Sequence, residues 1–168
     1  MFLANRSTLA TLELIPSGRA GVLMTLAKMR SLVQQGKKNL KLRELALSLV
    51  GDLPGKDYLG EVRRVQQWVK GNIRYVPDIR NVETLHTIDK LLEQRQGDCD
   101  DQAMLVACLL ETLGKHTRFR AIGFKPGEFE HVFTEVRLGN QWVPVETTEP
   151  VDVGWLPRGI VDDVVLEN

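Results

Sequence analysis

Cysteine is scarce in this chain: only Cys99 and Cys108 occur among 168 residues. Both are predicted to lie on one helix nine residues apart, which separates them by roughly 13 Å at 1.5 Å per residue. The Cα atoms of a disulfide lie within about 7 Å of each other, so these two thiols cannot be joined. The reactivity of each cysteine is therefore a separate question.

Long apolar runs are also missing. No stretch approaches the roughly 20 apolar residues of a membrane-spanning helix, and residues 1–16 carry Arg6 and Glu13 without the apolar core of a signal peptide. We therefore expect a protein made in the cytoplasm, with no membrane partner, that is not secreted by the general route.

Net charge is zero, with 22 Lys and Arg against 22 Asp and Glu, but residues 1–97 are net basic and residues 98–168 net acidic. The two halves could attract each other, or the basic half could face an acidic partner. A basic run at Lys37, Lys38, Lys41 and Arg43 has no accompanying nucleic-acid motif and no interleaved aromatics. We interpret it as a solvated helix face and expect no nucleic-acid partner.

Three amphipathic helices are predicted in the first half of the chain, from Ser17 to about Gln35, from Asn39 to Gly51, and from Tyr58 to Lys70. Residues 8–15 fit either a strand or an extended arm. An extended piece over residues 73–78 and a short helix capped by Thr87 follow. The three long helices are expected to form a packing layer.

The stretch with the strongest chemical signal begins at Asp98, which is a typical N-cap. Cys99 then falls in the first helical turn, an apolar run from Ala103 to Leu110 follows, and Gly114 ends the helix. A helix that is apolar on nearly every face should be buried and should hold the thiol rigidly, with its polar start open to a cleft. The helix dipole favours a thiolate at Cys99, whereas the three neighbouring aspartates would oppose it unless they point away or bind a cation.

After Gly114 the pattern changes to period 2 and predicts antiparallel strands over residues 119–124, 131–138 and 141–147. We find no internal repeat and no low-complexity linker. The predicted fold class is α+β, as one domain over residues 1–168. Its parts are an N-terminal helical layer (17–70), a catalytic core (71–150) and a C-terminal tail (151–168).

A two-residue turn at Gly139-Asn140 would pair Leu138 with Gln141 and set the register of the last two strands. Counting back from that pair makes His131 and Glu146 diagonal neighbours on one face, with Cβ atoms about 7–8 Å apart. A glutamate side chain can span that distance. The register depends on the turn, since a one-residue change in loop length would reverse the faces.

This arrangement predicts a nucleophilic site. Cys99 would attack a carbonyl carbon, His131 would pair with the thiolate and protonate the leaving group, and Glu146 would orient the imidazole. The backbone N–H of Cys99 is one candidate oxyanion donor. Candidates for a second donor are Tyr75, Gln94 and Gln96.

Five sequence blocks follow one another here: Gly97-Asp98-Cys99-Asp100-Asp101, the helix end Leu113-Gly114, Thr117-Arg118-Phe119, His131-Val132-Phe133-Thr134-Glu135-Val136, and Gln141-Trp142-Val143-Pro144-Val145-Glu146-Thr147-Thr148. Together they resemble the transglutaminase-like superfamily of papain-like cysteine enzymes, over roughly residues 60–150. The resemblance implies a nucleophile helix packed on an antiparallel sheet. It also implies a Cys-His-Asp triad that maps onto Cys99, His131 and Glu146, with glutamate in place of the usual aspartate.

Members of that superfamily include protein-crosslinking transglutaminases, bacterial cysteine proteinases and amidases, and compact forms similar to this chain occur among bacteriophage proteins. The resemblance therefore implies a protein or peptide substrate. It also implies a bacterial setting, with phage virion or assembly proteins as further partners if the chain is phage-encoded. Its location would then be the host cytoplasm or the virion.

The aspartates around Cys99 have two interpretations. Asp98, Asp100 and Asp101 are most simply residues that cap the helix and complement its dipole. Alternatively they bind calcium, as some bacterial proteinases of the superfamily do beside the catalytic cysteine. A zinc site of Cys99, His131 and an aspartate lacks a paired-ligand spacing. We expect that no cofactor is required, with calcium as the candidate metal.

The function predicted first is hydrolysis of a peptide or isopeptide amide, that is, a cysteine peptidase or amidase. Glutamine transamidation is the alternative, because both reactions pass through the same thioester. Arylamine acyl transfer uses a similar triad, but no feature here favours an acyl-coenzyme donor. A different class of function is a non-catalytic phage assembly or binding module, which the substitution at Glu146 keeps open.

Overall fold

The computed structural model describes residues 15–78 and 84–168. Over these residues the chain has five helices and six strands: α1 Gly18–Gly36, α2 Leu40–Val50, α3 Tyr58–Asn72, β1 Arg74–Tyr75, α4 Ile88–Gln94, β2 Gln96–Gly97, α5 Cys99–Thr112, β3 Thr117–Gly123, β4 His131–Leu138, β5 Gln141–Val145 and β6 Asp162–Glu167. The alternatives predicted for residues 8–15 lie almost wholly outside the described residues. Within that part of the chain, none of the helices has the length and apolarity needed to cross a lipid bilayer.

The three predicted N-terminal helices are confirmed, and all three pack against α5 or against each other. The Asn39 side chain accepts hydrogen bonds from the backbone N–H groups of Lys41 and Leu42, as expected of an N-cap. Ser17 stands at the N-cap of α1, but its side chain makes no capping hydrogen bond. The buried face of the layer is apolar, and it includes Leu26, Met29, Val33, Leu42, Ala46, Val62, Val65 and Val69.

Helix α5 lies at the centre of the molecule, between the helical layer and the sheet. Every residue from Ala103 to Leu110 is at most 3% exposed, so the prediction of a helix buried on all faces is confirmed. Each fully buried leucine there contributes about 1.5–3 kcal/mol to folding. The helix ends where Gly114 adopts a φ of 79°, and Lys115 N–H then bonds the carbonyl of Leu110 at 3.0 Å. The thiol of Cys99, at the N-terminal end of α5, is thus held by a rigid and fully packed helix.

The four-stranded sheet has the order β5-β4-β3-β6 and is antiparallel throughout. Leu138 pairs with Gln141 across the Gly139-Asn140 turn, and the ladder runs to the pair Thr134 and Val145. The predicted register is therefore confirmed. Strand β5 is shorter than predicted, because it ends at Val145 and leaves Glu146 just beyond the ladder.

Strand β6 lies within the predicted C-terminal tail of residues 151–168, where the sequence pattern predicts no strand. Asp162–Glu167 pairs with β3 along its whole length and buries Val164 at the sheet edge. A second unpredicted pairing is parallel and joins β1 to β2, with Tyr75 opposite Gly97. Both pairings join segments that are distant in sequence, and this is why local patterns do not reveal them.

Candidate active site

Cys99 is the first residue of α5, and its thiol is partly buried. Asp98 caps the helix by accepting the backbone N–H of Asp101 at 3.2 Å. The thiol faces Asp100, with 3.6 Å between Sγ and Oδ1, and the backbone N–H of Val132 also bonds to it. Since Val132 follows His131 directly, the packing of α5 on β4 brings the thiol to the strand that carries the histidine.

Cys99 is not the thiolate that the helix dipole favours, and the neighbouring carboxylates oppose that form as expected. Burial, followed by the negative charges of Asp100 and Asp98, raises the pKa of the Cys99 thiol well above its usual value. The hydrogen bond from Val132 lowers the pKa but does not offset the rise. The helix dipole, on which the thiolate prediction rests, is worth only about 0.3–1 kcal/mol at an exposed site. Desolvation and two carboxylates outweigh it, so the resting group is a thiol.

His131 and Glu146 are brought into contact, with 2.6 Å between Nε2 and Oε2. The Glu146 side chain is 2% exposed and that of His131 is 20% exposed, so the pair lies at the edge of the protein interior. His131 begins β4 and Glu146 follows the end of β5, as the hairpin register requires. Within the described residues His131 makes no hydrogen bond or ion pair with Cys99, whose thiol is engaged by Asp100 instead.

The carboxylate of Glu146 is held at both oxygens. Its Oε1 accepts the backbone N–H of Thr148 at 2.6 Å and the hydroxyl of Thr148 at 2.8 Å. Burial pushes the pKa of Glu146 upward, but the hydrogen bond and charge of His131 and the two bonds from Thr148 outweigh it, so the pKa lies below its usual value. An ionised carboxylate can only accept, so Nε2 of His131 carries the hydrogen and Nδ1 is left for other partners.

Glutamate stands here at a position where the superfamily resemblance implies aspartate. Its carboxylate contacts His131 from a residue just beyond the end of β5. Thr148, two residues later, then fixes the far oxygen. The longer side chain is thus restrained at its tip.

Of the three candidates for a second oxyanion donor, Tyr75 has the most suitable position. Its strand pairs with the segment leading into Cys99, opposite Gly97, and burial followed by the charges of Cys99, Asp98 and nearby aspartates raises the pKa of its phenol. The hydroxyl therefore stays protonated and able to donate. Gln96 Oε1 instead accepts a bond from Arg74 at 2.6 Å, and Gln94 is exposed at the end of α4.

His86 and Asp101 form a second histidine–carboxylate pair that the sequence analysis missed. Asp101 is 1% exposed and accepts Nδ1–H of His86 at 2.7 Å and its backbone N–H at 3.0 Å. Burial raises the pKa of Asp101, and its bonds to His86 offset part of that rise. A cleft of about 230 Å³ lies beside the pair and reaches Gln96 and Gly97, at the start of the nucleophile turn.

The three aspartates named as candidate calcium ligands make different contacts in the structure. Asp98 caps α5, Asp101 bonds His86, and Asp100 faces the thiol. Across residues 15–78 and 84–168, no group of three or more His, Cys, Asp or Glu side chains is placed to hold a metal ion. The geometry thus favours the capping interpretation for Asp98.

Asp100→Asn is expected to raise the rate of Cys99 alkylation by iodoacetamide near pH 8 several-fold. Removing that charge lowers the thiol pKa, and the thiolate is the reacting form. Peptide mass spectrometry measures the rate, and Cys108 is the internal control because its side chain is completely buried and inaccessible to the reagent. In the parent protein the rate of Cys99 alkylation should still be rising at pH values at which an ordinary thiol is already fully ionised. A parent rate that levels off below pH 8 contradicts this account.

Comparison with known proteins gives one family. A sequence profile of the transglutaminase-like superfamily matches residues 47–147, which is more than half of the chain. This span includes α3, the nucleophile helix, His131 and Glu146. No curated protein sequence matches the chain at a significant level.

Two solved structures share the fold. A proposed cysteine protease from Cytophaga hutchinsonii is 23% identical with a TM-score of 0.52, over 76% of this chain and 46% of that one. A proposed protease from Parabacteroides distasonis is 14% identical with a TM-score of 0.58, over 74% of this chain and 26% of that one. The chain therefore spans less than half the length of either protein. With its α+β architecture, its helix on an antiparallel sheet and the profile match, the chain belongs to the transglutaminase-like superfamily.

Proposed function

We propose that the chain catalyses thiol-dependent acyl transfer from a peptide or isopeptide amide, with hydrolysis as the outcome. The observation that carries the proposal is the 2.6 Å contact of His131 with the buried, ionised Glu146. His131 begins β4, and the next residue of that strand, Val132, donates its backbone N–H to the Cys99 thiol. The groups proposed as nucleophile, base and orienting group would thus adjoin one another.

The proposed reaction begins when the Cys99 side chain turns from Asp100 toward His131. Nδ1 of His131 takes the thiol proton, and Sγ attacks the amide carbon. The imidazolium then gives that proton to the leaving amine as the C–N bond breaks, which leaves a thioester on Cys99. Water, deprotonated by His131, attacks the thioester and releases a carboxylic acid and the free thiol. Glu146 stabilises the imidazolium without taking its proton.

The tetrahedral intermediate would be stabilised by the backbone N–H of Cys99, one of the first helical N–H groups, which lack an intrahelical acceptor. Tyr75 would donate the second hydrogen bond. The cleft that reaches Gln96 and Gly97 would receive the substrate chain beside the nucleophile turn.

Tyr75→Phe is expected to lower kcat by about 10²- to 10³-fold with little change in KM, because only the oxyanion gains from the hydroxyl. Steady-state kinetics on a cleavable peptide measure both constants. Tyr58→Phe is the matched control, since that tyrosine is half exposed and its ring lies against Lys115. Unchanged kcat in Tyr75→Phe would remove this tyrosine from the mechanism.

The proposal is tested by incubating the protein with a mixed peptide library, with and without a labelled primary amine. Hydrolysis yields new carboxyl termini, whereas transamidation yields amine-labelled glutamine residues, and mass spectrometry separates the two. Both products must disappear in Cys99→Ala. If neither forms, the proposed acyl chemistry is wrong.

A second candidate is a binding or assembly module that keeps the fold without catalysis. The raised pKa of Cys99 and its contact with Asp100 favour this alternative, because both oppose a resting thiolate. It predicts that Cys99→Ala keeps the biological role of the protein. The enzyme proposal predicts that this role is lost.

A further inference from the structure

Gln66 is a buried polar residue on a helix face that is otherwise apolar. It is 3% exposed, and its α3 neighbours Val62, Val65 and Val69 are completely buried in the core. A buried amide without partners costs free energy, so its hydrogen bonds indicate what the residue does there. The sequence pattern around Gln66 gives no indication of a role for it.

The Gln66 side chain reaches across the fold to the segment after β5. Its Nε2 donates to the backbone carbonyl of Glu146 at 2.7 Å and to that of Val151 at 3.3 Å. One turn later on the same helix, Lys70 Nζ donates to the Val151 carbonyl at 2.9 Å. Helix α3 therefore holds the backbone carbonyls of Glu146 and Val151. Of the two side chains, Gln66 is the one that bonds Glu146.

The Glu146 carbonyl needs such a donor because the sheet no longer supplies one. The last β4–β5 pair is Thr134 and Val145, so Glu146 is the first residue past the ladder. Gln66 fixes the backbone of Glu146, while Thr148 fixes one carboxylate oxygen. The backbone and one carboxylate oxygen of Glu146 are thus both held while Oε2 contacts His131.

We propose that Gln66 is a positioning residue for the acyl chemistry, and that it acts by holding Glu146 at the depth from which its carboxylate reaches Nε2 of His131. This inference rests on the proposed function. A misplacement of about 1 Å in such a site can cost about 100-fold in rate. Helix α3 is then part of the catalytic apparatus as well as of the packing layer.

The test compares Gln66→Met with Lys70→Met in the full chain. Each substitution removes one donor from the same helix face and keeps an unbranched side chain. Lys70→Met loosens Val151 and leaves the bond to Glu146 intact. A purely structural role predicts that both changes lower stability without altering His131. A positioning role predicts that only Gln66→Met alters His131.

The first readout is the imidazole ¹⁵N spectrum of His131, which reports the Nε2–H form and does not require activity. The parent and Lys70→Met should show this form, whereas Gln66→Met and Glu146→Gln should both show mixed tautomers. The second readout is kinetic: Gln66→Met should lower kcat by about 10- to 100-fold with KM changed less than about threefold, and Lys70→Met should retain kcat.

A parent-like spectrum and kcat in Gln66→Met would overturn the inference, as would equal losses in both variants. If Gln66→Met does not fold, Gln66→Asn replaces it, because the amide is kept but withdrawn by one methylene. The proposed function fails differently: no peptide is turned over by the parent, while the His131 spectrum still responds to Gln66.

Discussion

Cys99→Ala is expected to lower kcat for peptide hydrolysis by about 10⁴-fold or more, the scale on which loss of an enzyme nucleophile is felt. No other group in the site can form the thioester. The free energy of unfolding should change by about 1 kcal/mol or less, because the substitution removes a single, partly exposed sulfur atom. Kinetics and urea unfolding measure the two effects on one sample.

Cys108→Ala is the matched control, on the same helix but fully buried, with Sγ at 3.6 Å from the carbonyl of Val33. It should lose about 1–2 kcal/mol of stability to the cavity that it creates and should keep its kcat. Cys99→Ala should thus lose activity and keep its stability, whereas Cys108→Ala should lose stability and keep its activity. A Cys99→Ala protein that still cleaves peptide would exclude the thioester route.

Glu146→Gln is expected to lower kcat by about 10³- to 10⁴-fold. An amide at this position no longer fixes the Nε2–H form of His131 or stabilises the imidazolium. Glu146→Asp keeps the charge but withdraws it by one methylene, so it should fall between the parent and Glu146→Gln, with a loss of about 10- to 100-fold. Single-turnover kinetics of thioester formation measure the loss in each variant directly.

The pH dependence of stability gives an independent check on Glu146. Its folded-state pKa lies below the unfolded value, so its contribution to stability is fully present above the unfolded pKa and is lost as pH falls through the folded pKa. Glu146→Gln removes this contribution. Its stability relative to the parent should therefore recover on acidification, and parallel urea curves for the two proteins between pH 7 and pH 3 would contradict the lowered pKa.

Local signals made much of the site predictable from the sequence. Asp98 and Gly114 carry the chemistry of helix ends, so α5 and the position of Cys99 could be placed without tertiary information. The two-residue turn at Gly139-Asn140 sets the register of β4 and β5. That register is enough to bring His131 and Glu146 together.

The remaining features depend on contacts between distant parts of the chain. The protonation of Cys99 is set by burial and by the direction of the Asp100 side chain, neither of which a sequence motif encodes. Gln66 contacts Glu146 across 80 residues. Strand β6 depends on pairing with β3 and carries no turn signal that ties it to a neighbour. Tertiary packing decides each of these.

Thioester formation on Cys99 is proposed to depend on His131. It is tested most directly by mixing the protein with an activated peptide ester, quenching with acid within milliseconds, and locating the acyl group by peptide mass spectrometry. We expect acylation of Cys99 in the parent, with the rate at least about 100-fold lower in His131→Ala and Cys108 unmodified in both. Equal acylation rates in the parent and His131→Ala, or no acylation of Cys99 at all, would contradict the account.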